Sequence, residues 1–174
     1  MIKKNVKLVF ALAIIGFLGI STQAFSQVIA QDYQALMEKV LVSYQNIGKT
    51  LSETSTEGIQ HEAEQIVSIT QQIMDQKAGL PKEKVSQFNI LMKRMNSQST
   101  NLLNNKDIES LRNEYVLLSN AVIGYIHTFE FDKEYYVYAC EGDLTPWVQK
   151  NKKPQKDPYC DSPCGKIIEE IGRK

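Results

Sequence analysis

The stretch DIESLRNEYVLLSNAVIGYIHTF, from Asp107 to Phe129, decides the fold class of this chain. Its apolar residues recur at steps of three and four, which places their side chains on one face of an α-helix. They are Ile108, Leu111, Tyr115, Leu118, Val122, Tyr125 and Phe129. Asp107 precedes the first of them, and a short acidic side chain at this position caps a helix. The sequence therefore predicts a long helix with one buried face.

Three further apolar stripes with the same period precede this segment. They contain Tyr33, Met37, Val40, Tyr44, Ile47 and Leu51; then Ile59, Ala63, Ile66, Thr70 and Ile73; then Val85, Phe88, Met92 and Met95. Polar residues at positions 52–56 and the Gly-Leu-Pro of positions 79–81 separate them. Four amphipathic helices with short connections predict a mainly α fold, an antiparallel four-helix up-and-down bundle over about residues 32–129.

Residues 130–174 differ in composition from the bundle and are predicted to form an appendage to it. The sequence YYVY at 135–138 has the aromatic and β-branched content of a strand. Four prolines between positions 143 and 163 predict an irregular loop. The pattern of Lys166 to Ile171 predicts a short terminal helix. We expect one domain over residues 27–174, in which this small irregular and β appendage follows the bundle.

The first 26 residues have the pattern of a secretory signal peptide. Three lysines precede an apolar run over residues 8–20, and small residues then predict cleavage between Ser26 and Gln27. The run is shorter than the roughly 20 residues that span a bilayer. We therefore expect a periplasmic or secreted protein, with no membrane span and, because no cysteine lies near the cleavage site, no lipid anchor.

The charge balance and the absence of catalytic motifs exclude several classes of function. The chain has 20 basic and 20 acidic residues, and loss of the three N-terminal lysines leaves 17 against 20, a net charge of −3. Such a balance does not favour a nucleic-acid partner, whose phosphates attract an excess of positive charge. The sequence contains no Gly-rich phosphate loop, HExxH or GxSxG motif. We expect no enzymatic activity.

All three cysteines, Cys140, Cys160 and Cys164, lie in the appendage. In an exported protein, paired cysteines ordinarily form disulfides, and a Cys140–Cys164 bridge would hold the proline-rich loop of a structural or interaction module. Alternatively, three thiolates could bind copper, as Cu(I), or zinc, with His127 as a weaker fourth candidate ligand. A thiol redox role for Cys160 and Cys164 is a third hypothesis. The residues alone leave these alternatives open.

Several short motifs in the second half of the chain resemble those of a known family. They are Arg112-x-x-Tyr115-x-x-Leu118-Ser119, Tyr136-x-Tyr138-x-Cys140, Trp147-Val148, Asp157-Pro158-Tyr159 and Cys164-Gly165-x-Ile167-x-Glu169-x-Ile171. In this order they resemble domain-of-unknown-function family 3347. Members of that family are exported helical domains, and some are joined to periplasmic adaptor proteins of copper and heavy-metal efflux systems.

The resemblance implies a role in metal handling, with copper as the first candidate and with efflux or other envelope proteins as partners. Cys140 and Cys164 match the family's two cysteines. The family's Cys-Pro-Met is here Cys140-Glu141-Gly142, and Cys160 stands in a shortened stretch where the family usually has a methionine. We therefore expect a non-enzymatic soft-metal accessory protein with Cys140, Cys160, Cys164 and His127 as candidate ligands, or else the disulfide-containing module.

Overall fold

The computed structural model describes residues 20–76, 80–129, 133–140, 145–153, 156–160 and 164–172. Its four helices are α1 (Ile20–Ser52), α2 (Ile59–Gln76), α3 (Lys82–Asn104) and α4 (Ile108–Thr128). Each helix packs on the next along the chain, and α4 also contacts α1, which closes the bundle. The prediction of a mainly α four-helix bundle with a small β appendage is confirmed.

The bundle interior is built from the four apolar stripes. Every residue of the first two stripes is buried, and so is the fourth stripe from Leu111 to Phe129. Ile108, at the start of α4, is half-buried. In the third stripe Phe88, Met92 and Met95 are buried, but the prediction for Val85 was wrong, because this residue is 38% exposed. It lies in the first turn of α3, at the end of the bundle.

Polar side chains cap the N-terminus of α4 and join α3 to α2 by hydrogen bonds. Asp107 caps α4 as predicted, since its carboxylate accepts a hydrogen bond of 2.9 Å from the Ser110 N–H. This hydrogen bond to the charged form lowers the pKa of the Asp107 carboxyl. In α3, the Asn96 amide donates to Thr70 Oγ1 at 3.0 Å and to the Val67 carbonyl at 3.1 Å. Helix α3 therefore continues through the polar residues after Met95, because Asn96 hydrogen-bonds to α2.

Three antiparallel strands form the appendage. They are β1 (Tyr135–Ala139), β2 (Trp147–Gln149) and β3 (Lys166–Ile171), in the order β2-β1-β3. The central strand β1 is buried throughout: Tyr135 and Val137 join the bundle core, whereas Tyr136 and Tyr138 form a second apolar cluster with Trp147 and Cys140. β2 also contacts α4. The sheet is therefore packed directly on the bundle.

The predicted terminal helix at Lys166–Ile171 was wrong, because this segment is the strand β3. A helix of six residues has little stability by itself, since nucleation is costly and few hydrogen bonds follow. The edge of β1 instead offers backbone partners, and β3 pairs with it antiparallel along the whole of β1. Three isoleucines in the segment also favour a strand.

The predicted signal peptide lies mainly beyond the described part of the chain. Residues 1–19 are outside the described residues, and residues 20–26 belong to α1. Cleavage between Ser26 and Gln27 therefore stays a prediction. Within the ranges that the structure describes, no helix combines the length and the apolar character needed to cross a bilayer.

Candidate cysteine site

The three cysteines meet at a single carboxylate oxygen, Oδ2 of Asp157. Cys140 Sγ lies 2.9 Å from this atom, Cys160 Sγ lies 3.3 Å from it, and Cys164 Sγ lies 3.5 Å from it. Asp157 is only 2% exposed. The fold thus brings together one sulfur from the end of β1, one from the loop and one from the start of β3, around a buried acid.

Cys140 and Cys164 form a disulfide. Their Cα atoms are 5.4 Å apart, and they are separated by 24 positions in the sequence. The bond joins the end of β1 to the residues that lead into β3. This is the pairing that the structural alternative expects. Cys160 is not part of the disulfide and carries its thiol.

The local backbone orients the Asp157 carboxylate. Its Oδ1 accepts a hydrogen bond of 2.7 Å from the Tyr159 N–H, a turn that short acidic side chains favour. The other oxygen faces the three sulfurs. Because disulfide sulfurs carry no hydrogen, Cys160 is the only one of the three that can donate to Oδ2 in this state. A buried carboxylate is costly unless hydrogen bonds or a cation compensate it, and here the Tyr159 N–H and the Cys160 thiol supply hydrogen bonds.

A chain of hydrogen-bonded hydroxyl groups links residues 156–160, here called the cysteine loop, to the bundle. Tyr159 Oη lies 2.8 Å from both the Pro146 carbonyl oxygen and Ser119 Oγ, and Tyr44 Oη lies 2.8 Å from Ser119 Oγ. The Val148 N–H donates to Tyr44 Oη at 3.1 Å. This series of hydrogen bonds begins at Pro146, just before β2, and ends at Val148 within β2. Between these two residues it runs through Tyr159 of the cysteine loop, Ser119 of α4 and Tyr44 of α1.

The Pro146 carbonyl and the Val148 N–H at the two ends set the direction of the hydrogen bonds between them. The Pro146 carbonyl can only accept, so it takes the single hydrogen of the Tyr159 hydroxyl. Ser119 must then donate to Tyr159, and Tyr44 must donate to Ser119. The lone pair of Tyr44 is left to accept from the Val148 N–H. The hydroxyl of Tyr115 is a further hydrogen-bonding partner of Tyr44 and Ser119, so the network also includes this residue of α4.

Aromatic packing surrounds the hydroxyl chain. The Tyr44 and Tyr115 rings are stacked with centroids 4.8 Å apart, and the Tyr159 ring lies 5.7 Å from Tyr115 and 6.1 Å from Trp147. Burial raises the pKa of Tyr44, and it raises the pKa of Tyr115 well above its ordinary value. Both hydroxyls are therefore neutral at physiological pH and serve as hydrogen-bonding groups rather than as acids.

His127 contacts a different partner. Its Nε2 lies 3.3 Å from Glu169 Oε2, and both side chains are partly exposed. In the described part of the chain, the group of possible metal ligands whose atoms lie within 4.8 Å of one another consists of Cys140, Asp157 and Cys164. The role of His127 as a ligand stays a prediction, and Cys160 also lies outside this group although its sulfur is 3.3 Å from Asp157 Oδ2.

The residues of the site fit a soft metal ion in their reduced form. Thiolates, and not disulfide sulfurs, ligate metal ions, so the Cys140–Cys164 bond occupies two of the candidate ligands. Reduced, the group whose atoms lie within 4.8 Å of one another would offer the thiolates of Cys140 and Cys164 and the Asp157 carboxylate. Cys160 lies outside this group, and its sulfur, 3.3 Å from Asp157 Oδ2, would have to move closer to add a third thiolate. Zn(II) accepts four such ligands in a tetrahedral site, and Cu(I) is selected by the sulfurs.

Comparisons of the chain with protein-family models, curated proteins and solved structures found no match. The resemblance of the C-terminal motifs to family 3347 therefore stays a prediction. Those motifs nevertheless contain Ser119, Asp157 and Tyr159. For Ser119 and Tyr159 the motif match was the one signal in the sequence, whereas Asp157 is also one of several acidic residues close to the cysteines.

Proposed function

We propose that the protein is an exported, non-enzymatic accessory module of soft-metal handling, and that the Cys140–Cys164 disulfide is the oxidised, metal-free form of its site. The convergence of three cysteine sulfurs on Asp157 Oδ2 supports this function. The family resemblance of the cysteine motifs supports the same role, with envelope proteins of metal efflux as partners.

Reduction of the disulfide would prepare the site for a metal ion. An external dithiol gives two electrons and two protons to the Cys140–Cys164 bond and itself becomes a disulfide. Cys140 and Cys164 are then thiols beside the thiol of Cys160. The metal ion displaces the thiol protons when it binds, so that the thiolates and Asp157 offset its positive charge.

The hydroxyl chain supports a site that keeps its shape in both redox states. Tyr159 is one residue from Cys160 and two from Asp157, and its hydroxyl bonds to α4 through Ser119. This contact involves no cysteine. We therefore expect the loop to stay on the bundle after reduction, which holds the three thiolates close together before the ion arrives.

A titration of the reduced protein with Cu(I), in competition with a chromophoric chelator, tests this function. We expect one tightly bound ion per chain, no competition by the oxidised protein, and loss of binding in Cys140→Ser and Cys164→Ser. A parallel titration with Zn(II) and the variant Asp157→Asn tests the carboxylate as a fourth ligand. His127→Gln tests the weaker candidate ligand, since His127 contacts Glu169 and not the sulfurs in this structure.

Two results would reject the metal function. One is binding of less than one Cu(I) or Zn(II) per reduced chain. The other is an affinity that Cys140→Ser and Cys164→Ser leave unchanged, since the ion would then be held elsewhere.

The disulfide itself favours a second candidate, a structural or interaction module of the cell envelope. In this case the bond between Cys140 and Cys164 holds the sheet of a docking domain, and reduction has no role. Mass spectrometry of protein isolated from cells separates the two candidates. A fully oxidised pair, together with a reduced form that binds no metal, would favour the structural module, whereas a population of reduced, metal-loaded chains would favour metal handling.

A further inference from the structure

The three cysteines differ in their access to solvent. Cys140, at the end of β1, is 4% exposed, whereas Cys160 and Cys164 are half-buried. A thiolate opens a disulfide by attack on the sulfur that it can reach. A small thiol from solvent will therefore open the Cys140–Cys164 bond by attack on Cys164.

We propose that the appendage is a thiol–disulfide exchange centre, in which Cys160 resolves the mixed disulfides that low-molecular-weight thiols form on Cys164. This activity is independent of the proposed metal function, because it needs no ion. Low-molecular-weight thiols open the Cys140–Cys164 bond and are regenerated, and their disulfides oxidise the reduced protein through the same mixed disulfide on Cys164.

The exchange has two steps, and neither needs a further oxidant. In the first, the small thiol loses its proton and its sulfur bonds to Cys164 Sγ; the Cys140–Cys164 bond breaks, and the electron pair and a proton go to Cys140. In the second, Cys160 loses its proton and attacks Cys164 Sγ. The small thiol leaves with the electron pair and takes up a proton. The disulfide has moved to Cys160–Cys164, and the small thiol is regenerated.

The position of Asp157 suits both steps. Its Oδ2 lies 2.9 Å from Cys140 Sγ and 3.3 Å from Cys160 Sγ, the sulfur that gains a proton and the sulfur that loses one. The same oxygen lies 3.5 Å from Cys164 Sγ, the sulfur under attack. The attacking thiol and the attacked sulfur therefore both lie within 3.5 Å of one atom, Asp157 Oδ2, before any small thiol enters.

The variant Cys140→Ser isolates the second step, because it leaves only Cys160 and Cys164. Reduced Cys140→Ser protein is mixed with oxidised glutathione, and its products are separated by mass spectrometry. We expect the mixed disulfide on Cys164 to be short-lived and to give a Cys160–Cys164 bond, with two glutathione molecules released. In the control Cys140→Ser/Cys160→Ser, the mixed disulfide should last at least about tenfold longer, because no neighbouring thiol displaces it.

Equal lifetimes of the mixed disulfide in the two proteins would overturn the proposal, and so would a final product in which both thiols carry glutathione. Cys140→Ala repeats the measurement with an apolar side chain, in case a serine hydroxyl at this buried position disturbs the sheet. The helical circular dichroism signal of the bundle reports that each variant is folded. Failure of the Cu(I) titration would not affect this result, since no metal is added.

Discussion

The backbone N–H of Val148 donates a hydrogen bond of 3.1 Å to the hydroxyl oxygen of Tyr44, which lies 104 positions earlier in the chain. Tyr44 belongs to α1 and Val148 to β2, and both residues are buried. An amide of the sheet thus finds its acceptor inside the helical bundle. The appendage and the bundle therefore share one polar network, and the site that carries the cysteines depends on the helices.

Removal of this hydroxyl should loosen the appendage. In Tyr44→Phe the ring can keep its stacking on Tyr115, but the buried Val148 N–H loses its acceptor. A buried group without a partner costs about 1 to 3 kcal/mol, and we expect the free energy of unfolding to fall by this amount. Urea unfolding followed by the fluorescence of Trp147, the only tryptophan, measures the loss.

The matched control for Tyr44→Phe is Tyr136→Phe. Tyr136 donates its hydroxyl hydrogen to Glu134 at 2.7 Å, and Glu134 is exposed, so water can replace the lost partner. We expect a distinctly smaller effect. Equal losses in the two variants would contradict a structural role for the buried hydroxyl chain.

The buried tyrosines should make the protein sensitive to alkali. Burial raises the pKa of Tyr135 to about 12, and burial also raises the pKa values of Tyr44 and Tyr115 above the ordinary 10.0. The unfolded chain then loses tyrosine protons above a pH of about 10 while the native protein keeps them. The contribution of the protonated tyrosines to the free energy of unfolding is therefore complete below a pH of about 10 and falls as the pH rises toward 12.

Urea unfolding of the Cys160→Ser protein at several pH values above and below 10 tests the sensitivity to alkali, since this variant cannot exchange its disulfide. Tyr135→Phe should show a shallower decline, because one of the groups with a raised pKa is removed. A free energy of unfolding that stays constant or rises across this range would contradict the burial of the tyrosine hydroxyls.

The disulfide should contribute stability mainly by restricting the unfolded chain. In the chain-entropy model, closing a loop of this length contributes about 3 to 4 kcal/mol, and we expect reduction or Cys140→Ser/Cys164→Ser to remove about this amount. The helical circular dichroism signal should persist, because the bundle core does not contain the two cysteines. An unchanged urea midpoint after reduction would contradict a stabilising restriction of the unfolded chain by the disulfide.

Gly172 allows the chain to leave β3 beside the start of β1. Its φ is +134°, and a Cβ atom there would lie 2.5 Å from the Lys133 carbonyl oxygen and 2.8 Å from Glu134 Cα. We expect Gly172→Ala to destabilise the protein and to speed amide hydrogen exchange in β1 and β3. Gly58→Ala is the matched control, because Gly58 also has a positive φ, +84°, but has open space around it. An equal response in the two variants would contradict the close approach.

The bundle could be predicted from the sequence because each helix has a continuous apolar stripe. The period of Leu111, Tyr115 and Leu118 has one structural solution, a helix with that face buried, and Asp107 marks where it starts. The prediction that Val85 is buried was wrong, because the period of apolar residues does not show where the bundle ends. The third apolar stripe ends at Met95, and the continuation of α3 to Asn104 does not follow from it, since polar side chains such as Asn96 find their hydrogen-bond partners only in the folded protein.

The appendage could be predicted only in part, because its structure depends on contacts between distant residues. The segment from Lys166 to Ile171 has a pattern that fits a helix or a strand, and pairing with β1 decides between them. The cysteines could be found as candidates from their types alone. Asp157 could not, because an aspartate in a proline-rich loop is ordinarily solvated, and its burial against the three sulfurs results from the packing of Tyr159 on the bundle.

The most direct test of the metal function is X-ray absorption spectroscopy of the reduced protein, loaded with one equivalent of Cu(I) or Zn(II) and passed through a desalting column. We predict a first coordination shell dominated by sulfur, with a metal–sulfur distance of about 2.3 Å for zinc. A shell made of nitrogen and oxygen alone, or a protein that leaves the column without metal, would contradict a soft-metal site at Cys140, Cys160 and Cys164.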